Sequence, residues 1–210
     1  MIHTKQFFSR SMVANGHQLV IEGPVESEKL AAMRFDEGLK AFRVPEEQQQ
    51  ALVEIAALPE GRIIVAREGD LVLGYVTYLH PDPLERWSQA KLDDLLELGA
   101  IEVSDKVRAS GVGKEMLRVS FMDDAMEDYI VITTEYYWHW DLKGTGLDVW
   151  EYRKAMEKLM VTVGMVWMAT DDPEICSHPA NCLMARIGKR VPHESVVAFD
   201  GMRFQNRFLY

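Results

Sequence analysis

Residues 97–117, ELGAIEVSDKVRASGVGKEML, limit what this chain can fold into more than any other stretch. A short apolar strand ending at Val103 runs into the loop Arg108-Ala109-Ser110-Gly111-Val112-Gly113, and a helix-forming segment follows over about 113–124. Strand, glycine loop and helix in that order belong to a layered α/β domain. Two glycines at the mouth of a helix sit where unpaired N–H groups and the positive end of the dipole converge. Without a Cβ there, a phosphate can approach the backbone closely. Many helices start after a glycine and bind nothing, so the loop alone is a weak signal. Two carboxylates on the strand immediately upstream, Glu97 and Glu102, give it weight. Together they ask for an anionic cofactor beside a general base.

The 210 residues suffice for one well-buried domain, read here as 1–210 with its core over about 17–210. A formal net charge of −10 without a long basic run argues against binding nucleic acid through phosphate neutralisation. The two cysteines, Cys176 and Cys182, flank His178, but C-x-H-x3-C matches no zinc module, so no metal is expected. The N-terminal stretch lacks the apolar core of a signal peptide, and no apolar run approaches about 18 residues. The expected location is cytoplasmic, with no membrane partner.

Residues 17–22 read as a first strand, stopped by Gly23-Pro24, and Ser27 as the cap of a helix over 28–40. Pro45 opens a second helix that closes at Pro59 and Gly61. Residues 63–66 and 71–78 around Glu68-Gly69-Asp70 form a β-hairpin, the clearest local signal in the chain. The polar segment 81–96 has room for a short helix. Residues 129–134 (YIVITT) form a strand, an aromatic run follows at 136–140, and 148–162 a helix. Residues 164–170 are a further strand, 181–187 a short helix ending at Gly188, and 195–199 with 202–209 a closing hairpin around Asp200-Gly201. No repeat or linker divides the chain.

The loop matches Q/R-x-x-G-x-G/A, and on these residues the chain resembles the GNAT (GCN5-related N-acetyltransferase) family. The hairpin with Gly74 is similar to that family's second and third strands. Asn181, Ala185 and Gly188 after a strand are similar to its fifth strand and fourth helix. The resemblance implies a mixed, mostly antiparallel central sheet flanked by helices, with a strand–helix pair inserted between the third helix and Asn181. A second alignment makes 129–134 the fifth strand, 148–162 the fourth helix and 164–170 the sixth strand. The first is preferred because it leaves the Asp200-Gly201 hairpin as the last two strands. In the family a tyrosine on the fourth helix often protonates the leaving thiolate. The segment after Asn181 has none, and Tyr136, Tyr137 and Tyr152 are near it only in sequence.

IEGPV at residue 21, YLHPDPLERWS, TTEYYWHWDLKG, VWEYRK and SHPANCLMARIGK carry a closer resemblance, to bacterial members that acetylate a lysine of acetyl-CoA synthetase and switch it off. That likeness implies acetyl-CoA as cosubstrate and acetyl-CoA synthetase as protein partner. A small-molecule amine acetyltransferase and a non-catalytic acetyl-CoA-binding regulator of the synthetase are the rival readings.

Transfer of acetyl from a thioester to an amine needs a deprotonated amine, a polarised carbonyl and a cofactor held in line. The loop from Arg108 to Lys114 would hold the pyrophosphate through Ala109, Ser110, Gly111, Val112 and Gly113. Ile101 and Val103 on the strand, with Asn181, would line the rest of the cofactor. A lysine amine has a pKa near about 10.4, so a base is required. Glu97 stands eleven residues before Arg108, a spacing that resembles the base of histone-type members. Glu102 lies deeper in an apolar run. Five residues apart, the two face opposite sides of a regular strand, and a bulge would alter that parity. Both stay candidates. Tyr136, Tyr137, Trp138 and His139 pack as core or line the entry of the acceptor substrate. Arg43 contacts substrate or pairs with an acid.

Overall fold

A computed structural model describes residues 1–205. The chain clusters into two compact units, one of residues 2–79 and 98–126, the other of residues 1, 80–97 and the described residues from 127 onward.

The first unit contains β1 (Phe8–Ala14), β2 (His17–Gly23), α1 (Ser27–Ala31), β3 (Arg34–Phe35), α2 (Pro45–Ala57), β4 (Arg62–Glu68), β5 (Leu71–Leu79), the end of β6 (Leu95–Val103) and α3 (Val112–Ser120). Its strands lie in the order β1-β2-β4-β5-β6, and β3 adds a short parallel pairing to β5. The expected hairpin forms from Arg62↔Tyr78 to Glu68↔Leu71 across a glycine turn, because Ile63, Ile64 and Val65 suit a pleated surface. One face of the sheet buries Leu30, Leu39, Leu52, Ile63, Val65, Val72 and Tyr75. Helix α3 packs on β2, β4 and β5 through Val112, Met116, Leu117 and Val119. Gly74 permits this close fit, since a Cβ there would stand 3.1 Å from the Glu102 carbonyl oxygen and 3.3 Å from Met116 Cε.

The second unit contains the start of β6, β7 (Ile130–Glu135), α4 (Leu142–Thr145), α5 (Val149–Val161), β8 (Val166–Met168), α6 (Pro173–Cys176), β9 (Cys182–Ile187) and α7 (His193–Arg203). Residues 81–96 hold one 3₁₀ turn, Arg86–Ser88. Strand order is β6-β7-β9-β8, with β6 and β7 parallel over Leu95–Glu97 and the other pairs antiparallel. The Asp148 carboxylate accepts from the N–H groups of Trp150 and Glu151, and the Glu151 carboxylate accepts from Asp148 N, so α5 begins in a capping box. The core gathers Trp87, Leu95, Ile130, Ile132, Leu183 and Phe199. Among the described residues no helix is long and apolar enough to cross a membrane.

Five expectations are corrected. The strand at residue 17 is the second: β1 precedes it, joined through Asn15-Gly16 with φ of 49° and 86°, the geometry of a type I′ hairpin. Only Ala14 of β1 is buried, so its polar residues hid the strand. The helix expected over 28–40 stops at Ala31, and Ser27 does not cap it. Asp36 accepts from Gly38 N at 3.1 Å, a local turn that competes with helix. The helix after the glycine loop ends at Ser120, short of 124.

Residues 181–187 are strand, not helix. Cys182, Leu183, Met184 and Ala185 are all buried between β7 and β8, and periodicity cannot assign a short apolar run of that kind. The closing hairpin is instead α7, whose Ser195, Phe199 and Met202 repeat on one buried face. The part of that expectation beyond 205 lies outside the described residues.

These last two changes overturn the preferred alignment. β7, α5 and β8 are the elements of the second alignment, which takes residues 129–134 as the fifth family strand, 148–162 as the fourth helix and 164–170 as the sixth strand.

Candidate active site

In the first unit, β6 leads into the loop through residues that fix its shape. Ser104 N donates to Leu73 O at 2.8 Å and Val107 N to Ser104 O at 3.1 Å. Val107 is fully buried, and the Ser110 hydroxyl donates to its carbonyl. Ala109 and Gly111 both take positive φ, 60° and 90°. From the β1–β2 turn, Asn15 Nδ2 donates to the carbonyls of Lys106 at 3.2 Å and Arg108 at 3.5 Å. Gly111 is the N-cap of α3, and no side chain caps that end. The first N–H to find an intrahelical partner is that of Glu115, which donates to Gly111 O at 3.0 Å. A Cβ at Gly111 would meet nothing within 4 Å. Open space over uncapped N–H groups at a positive dipole end suits a phosphate. Val112 is buried, Ser110 and Gly113 are half-buried, and Lys114 is exposed. Arg108, Ile101 and Val103 are half-buried.

Glu102 is 6 % exposed. Its Oε1 accepts from Ala41 N at 2.7 Å and its Oε2 from the Tyr75 hydroxyl at 2.6 Å. Burial, then the neighbouring carboxylate, pushes the Tyr75 phenol far above its usual range, while the positive charge of Arg43 works weakly against them. Arg43 itself is exposed.

In the second unit, Glu97 is half-buried and accepts from Thr134 Oγ1 at 3.0 Å. Its carboxyl is pushed up to about 7, first by burial and then by the negative charges of Glu85 and Asp82, against the Thr134 bond, which favours the ionised form.

The aromatic run stacks on itself. Tyr136 lies on Trp138 with ring centroids 4.8 Å apart, and Tyr137 and His139 meet Trp138 edge-on at 5.4 and 5.9 Å. Burial raises the Tyr136 phenol, as do Asp172 and Glu174. Trp138 is 49 % exposed, more than a core indole. Trp140 Nε1 donates to Glu135 Oε2 at 3.0 Å, and its ring stacks on Tyr152 of α5 at 5.0 Å. Tyr137 packs against His178 with ring centroids 4.2 Å apart and the rings tilted by 36°.

Asn181 was expected on the fourth helix as a cofactor ligand, and that setting is corrected. It directly precedes β9, accepts from Tyr137 N at 3.0 Å and donates to Glu174 O at 3.0 Å. Its amide holds the aromatic run in place. Among the described residues, no group of three His, Cys, Asp or Glu could hold a metal.

Tyr75, Thr134, Asn15 and Asp36 join the site only in the folded chain. The Asn15-Gly16 pair was a legible turn signal. The other three are brought in by pairings between residues distant in sequence.

No family model matches this chain. It is 60 % identical over 210 residues, the full length of both chains, to the acetoin utilization protein AcuA of Bacillus subtilis (strain 168). The crystal structure of an acetoin utilization protein from Exiguobacterium sibiricum 255-15 superposes with a TM-score of 0.96 at 58 % identity, covering 99 % of this chain and 98 % of that one. An acetyltransferase of the GNAT family from Streptococcus pneumoniae shares the fold at a TM-score of 0.52 and 13 % identity, over 81 % of this chain and 99 % of that one. The chain has the GNAT fold and belongs to the family of AcuA acetoin utilization proteins.

Proposed function

We propose that this chain is an acetyl-CoA-dependent protein lysine N-acetyltransferase, acting in the cytoplasm on a lysine of acetyl-CoA synthetase and switching that enzyme off. The observation that carries the reading is Glu97: a half-buried carboxyl with its pKa pushed up to about 7, on the strand that feeds a glycine loop and an uncapped helix. A base of that strength is half-ionised at neutral pH and matched to accepting an amine proton.

Bound acetyl-CoA supplies an activated thioester acyl group. The N–H groups of Val112, Gly113 and Lys114 donate to its pyrophosphate, the Arg108 and Lys114 side chains add charge, and the backbone of Ile101 and Val103 aligns its arm. Glu97 accepts the proton of the incoming lysine, whose nitrogen forms the new amide C–N bond as the thioester C–S bond breaks and coenzyme A leaves as its thiolate, and Thr134 keeps the Glu97 carboxylate aimed. Tyr136, Tyr137, Trp138 and His139 line the acceptor's approach, and Arg43 contacts the acceptor. Of the two glutamates, Glu97 is the base because both oxygens of Glu102 already accept strong hydrogen bonds from the protein itself. Acetylation removes the target lysine's charge, which is enough to silence a catalytic lysine.

Incubation with acetyl-CoA and purified acetyl-CoA synthetase, followed by mass spectrometry of the synthetase lysines, tests this. One acetylated lysine and a loss of synthetase activity are expected. Acetyl-CoA binding without acetyl-lysine above background would overturn the reading in favour of a non-catalytic regulator, and transfer to small amines alone in favour of a small-molecule enzyme.

A further inference from the structure

Between β3 and α2, residues 36–44 are neither helix nor strand, and Lys40, Ala41, Phe42, Arg43 and Val44 are all exposed. Such a segment needs anchors to hold one conformation. Its first anchor is Asp36, buried, which accepts from Ser104 Oγ at 2.7 Å and pairs with Lys106. Burial alone would raise the Asp36 carboxyl, but Lys106, Ser104 and the Gly38 N–H together hold it below the usual range. The second anchor is Ala41 N, which donates to Glu102. Leu39, fully buried in the core, and Asp36 N, which donates to Val72 O at 3.0 Å, also hold the start of the segment to the sheet, whereas its exposed half from residue 40 on is held by Glu102, on the strand that runs into the glycine loop.

Glu102 is in turn held by Tyr75, whose hydroxyl donates to its other oxygen. Because the phenol keeps its proton across the ordinary pH range, it stays a donor. The carboxylate thus bridges two fixed donors, one from the sheet and one from the exposed segment. That is the geometry of a fastening. A base needs a lone pair turned to the acceptor's proton.

We propose that Glu102, held by Tyr75, is a positioning residue that pins segment 36–44, with Arg43, to the strand feeding the phosphate loop, and that this segment selects the acceptor substrate. The second half of this inference rests on the transferase reading above. Arg43 and Phe42 are consecutive and both exposed, a cation next to an apolar ring in sequence, so the acceptor surface the segment fits is acidic with an apolar neighbour.

The test compares wild type, Y75F and E102Q by amide hydrogen exchange over 36–44 and by steady-state kinetics. Exchange of that segment should quicken about tenfold in both variants, the effect of one lost hydrogen bond to a charged group. KM for the protein acceptor should rise while KM for acetyl-CoA and the pH limb near 7 stay. Unchanged exchange over 36–44 in both variants would overturn the pinning, and loss of the pH limb in E102Q would make Glu102 the base instead. If the wild type transfers no acetyl group, the transferase reading fails alone, and the exchange rates still decide whether Glu102 pins the segment. Y75F keeps the comparison decisive should E102Q fail to fold.

Discussion

Thr134 Oγ1 donates to Glu97 Oε1 at 3.0 Å, across two strands that run parallel. Glu97 pairs with Ile132, and Thr134 stands two residues further along β7. The hydroxyl favours the charged carboxylate, yet burial and two neighbouring acids outweigh it and lift the group to about 7. A general base is most useful near the working pH, where it is both ionised and basic.

The first prediction concerns rate. For the wild type, kcat/KM should rise with pH through a limb near 7 and then level. E97Q should lose that limb and about 10²–10⁴-fold in kcat. Its KM for acetyl-CoA should be unchanged, and a pH–rate series on both proteins decides the matter.

The same shift bears on stability. The Glu97 carboxyl is pushed up to about 7 in the folded protein, against the ordinary carboxyl value of 4.5 in the unfolded chain. Between those values the folded state binds more protons, so stability falls as pH rises through that window. Its contribution is fully present below the lower value and lost above the upper one. E97Q carries no such proton. The difference in urea midpoint, E97Q minus wild type, should grow from pH 5 to pH 8; a constant difference would contradict the assignment.

Gly111 should separate binding from folding. Its φ of 90° costs an L-residue about 1–2 kcal/mol, and Asp bears that conformation better than Ala. G111A should therefore lower stability more than G111D. G111D should weaken acetyl-CoA more, by about tenfold or greater, because it sets a negative charge against the phosphates at the dipole end. Calorimetric titration and thermal melts of both variants give the two orders.

Arg62 and Asp123 form a buried pair at 2.7 Å, 2 % and 3 % exposed. Asp123 also accepts from Gln6 N at 3.0 Å, and Arg62 donates to Thr4 O at 2.6 Å. D123A takes a carboxylate away from a buried guanidinium and should cost about 3–5 kcal/mol. Residues 4–6 lose an anchor with it, so proteolysis should begin there at lower denaturant than in wild type.

Trp138 is half exposed but stacks on Tyr136, so its removal should cost about 0.5–1.5 kcal/mol of stability. As an acceptor contact it should also affect binding. W138A is expected to raise KM for the acceptor substrate by about tenfold, the weight of a modest interface anchor. An unchanged KM would assign the aromatic run to packing alone.

Local chemistry determined much of this protein by itself. Proline at a first turn and glycine after a last one bounded α2, β-branched runs around Glu-Gly-Asp made the β4–β5 hairpin, and a strand, two glycines and a helix made the glycine loop. Each is a signal within a few residues, where backbone preference and side-chain period act directly. Residues 182–187 and 193–203 were legible only in part, since a short apolar run and an Asp-Gly pair each suit two structures. Burial between β7 and β8 made the first a strand, and an apolar face on Phe199 and Met202 made the second a helix. The glutamates show the same division. Sequence placed both on one strand and could not rank them. Only the fold set Thr134, Glu85 and Asp82 around Glu97 and closed Ala41 and Tyr75 onto Glu102, because a carboxylate's chemistry depends on neighbours brought from distant parts of the chain.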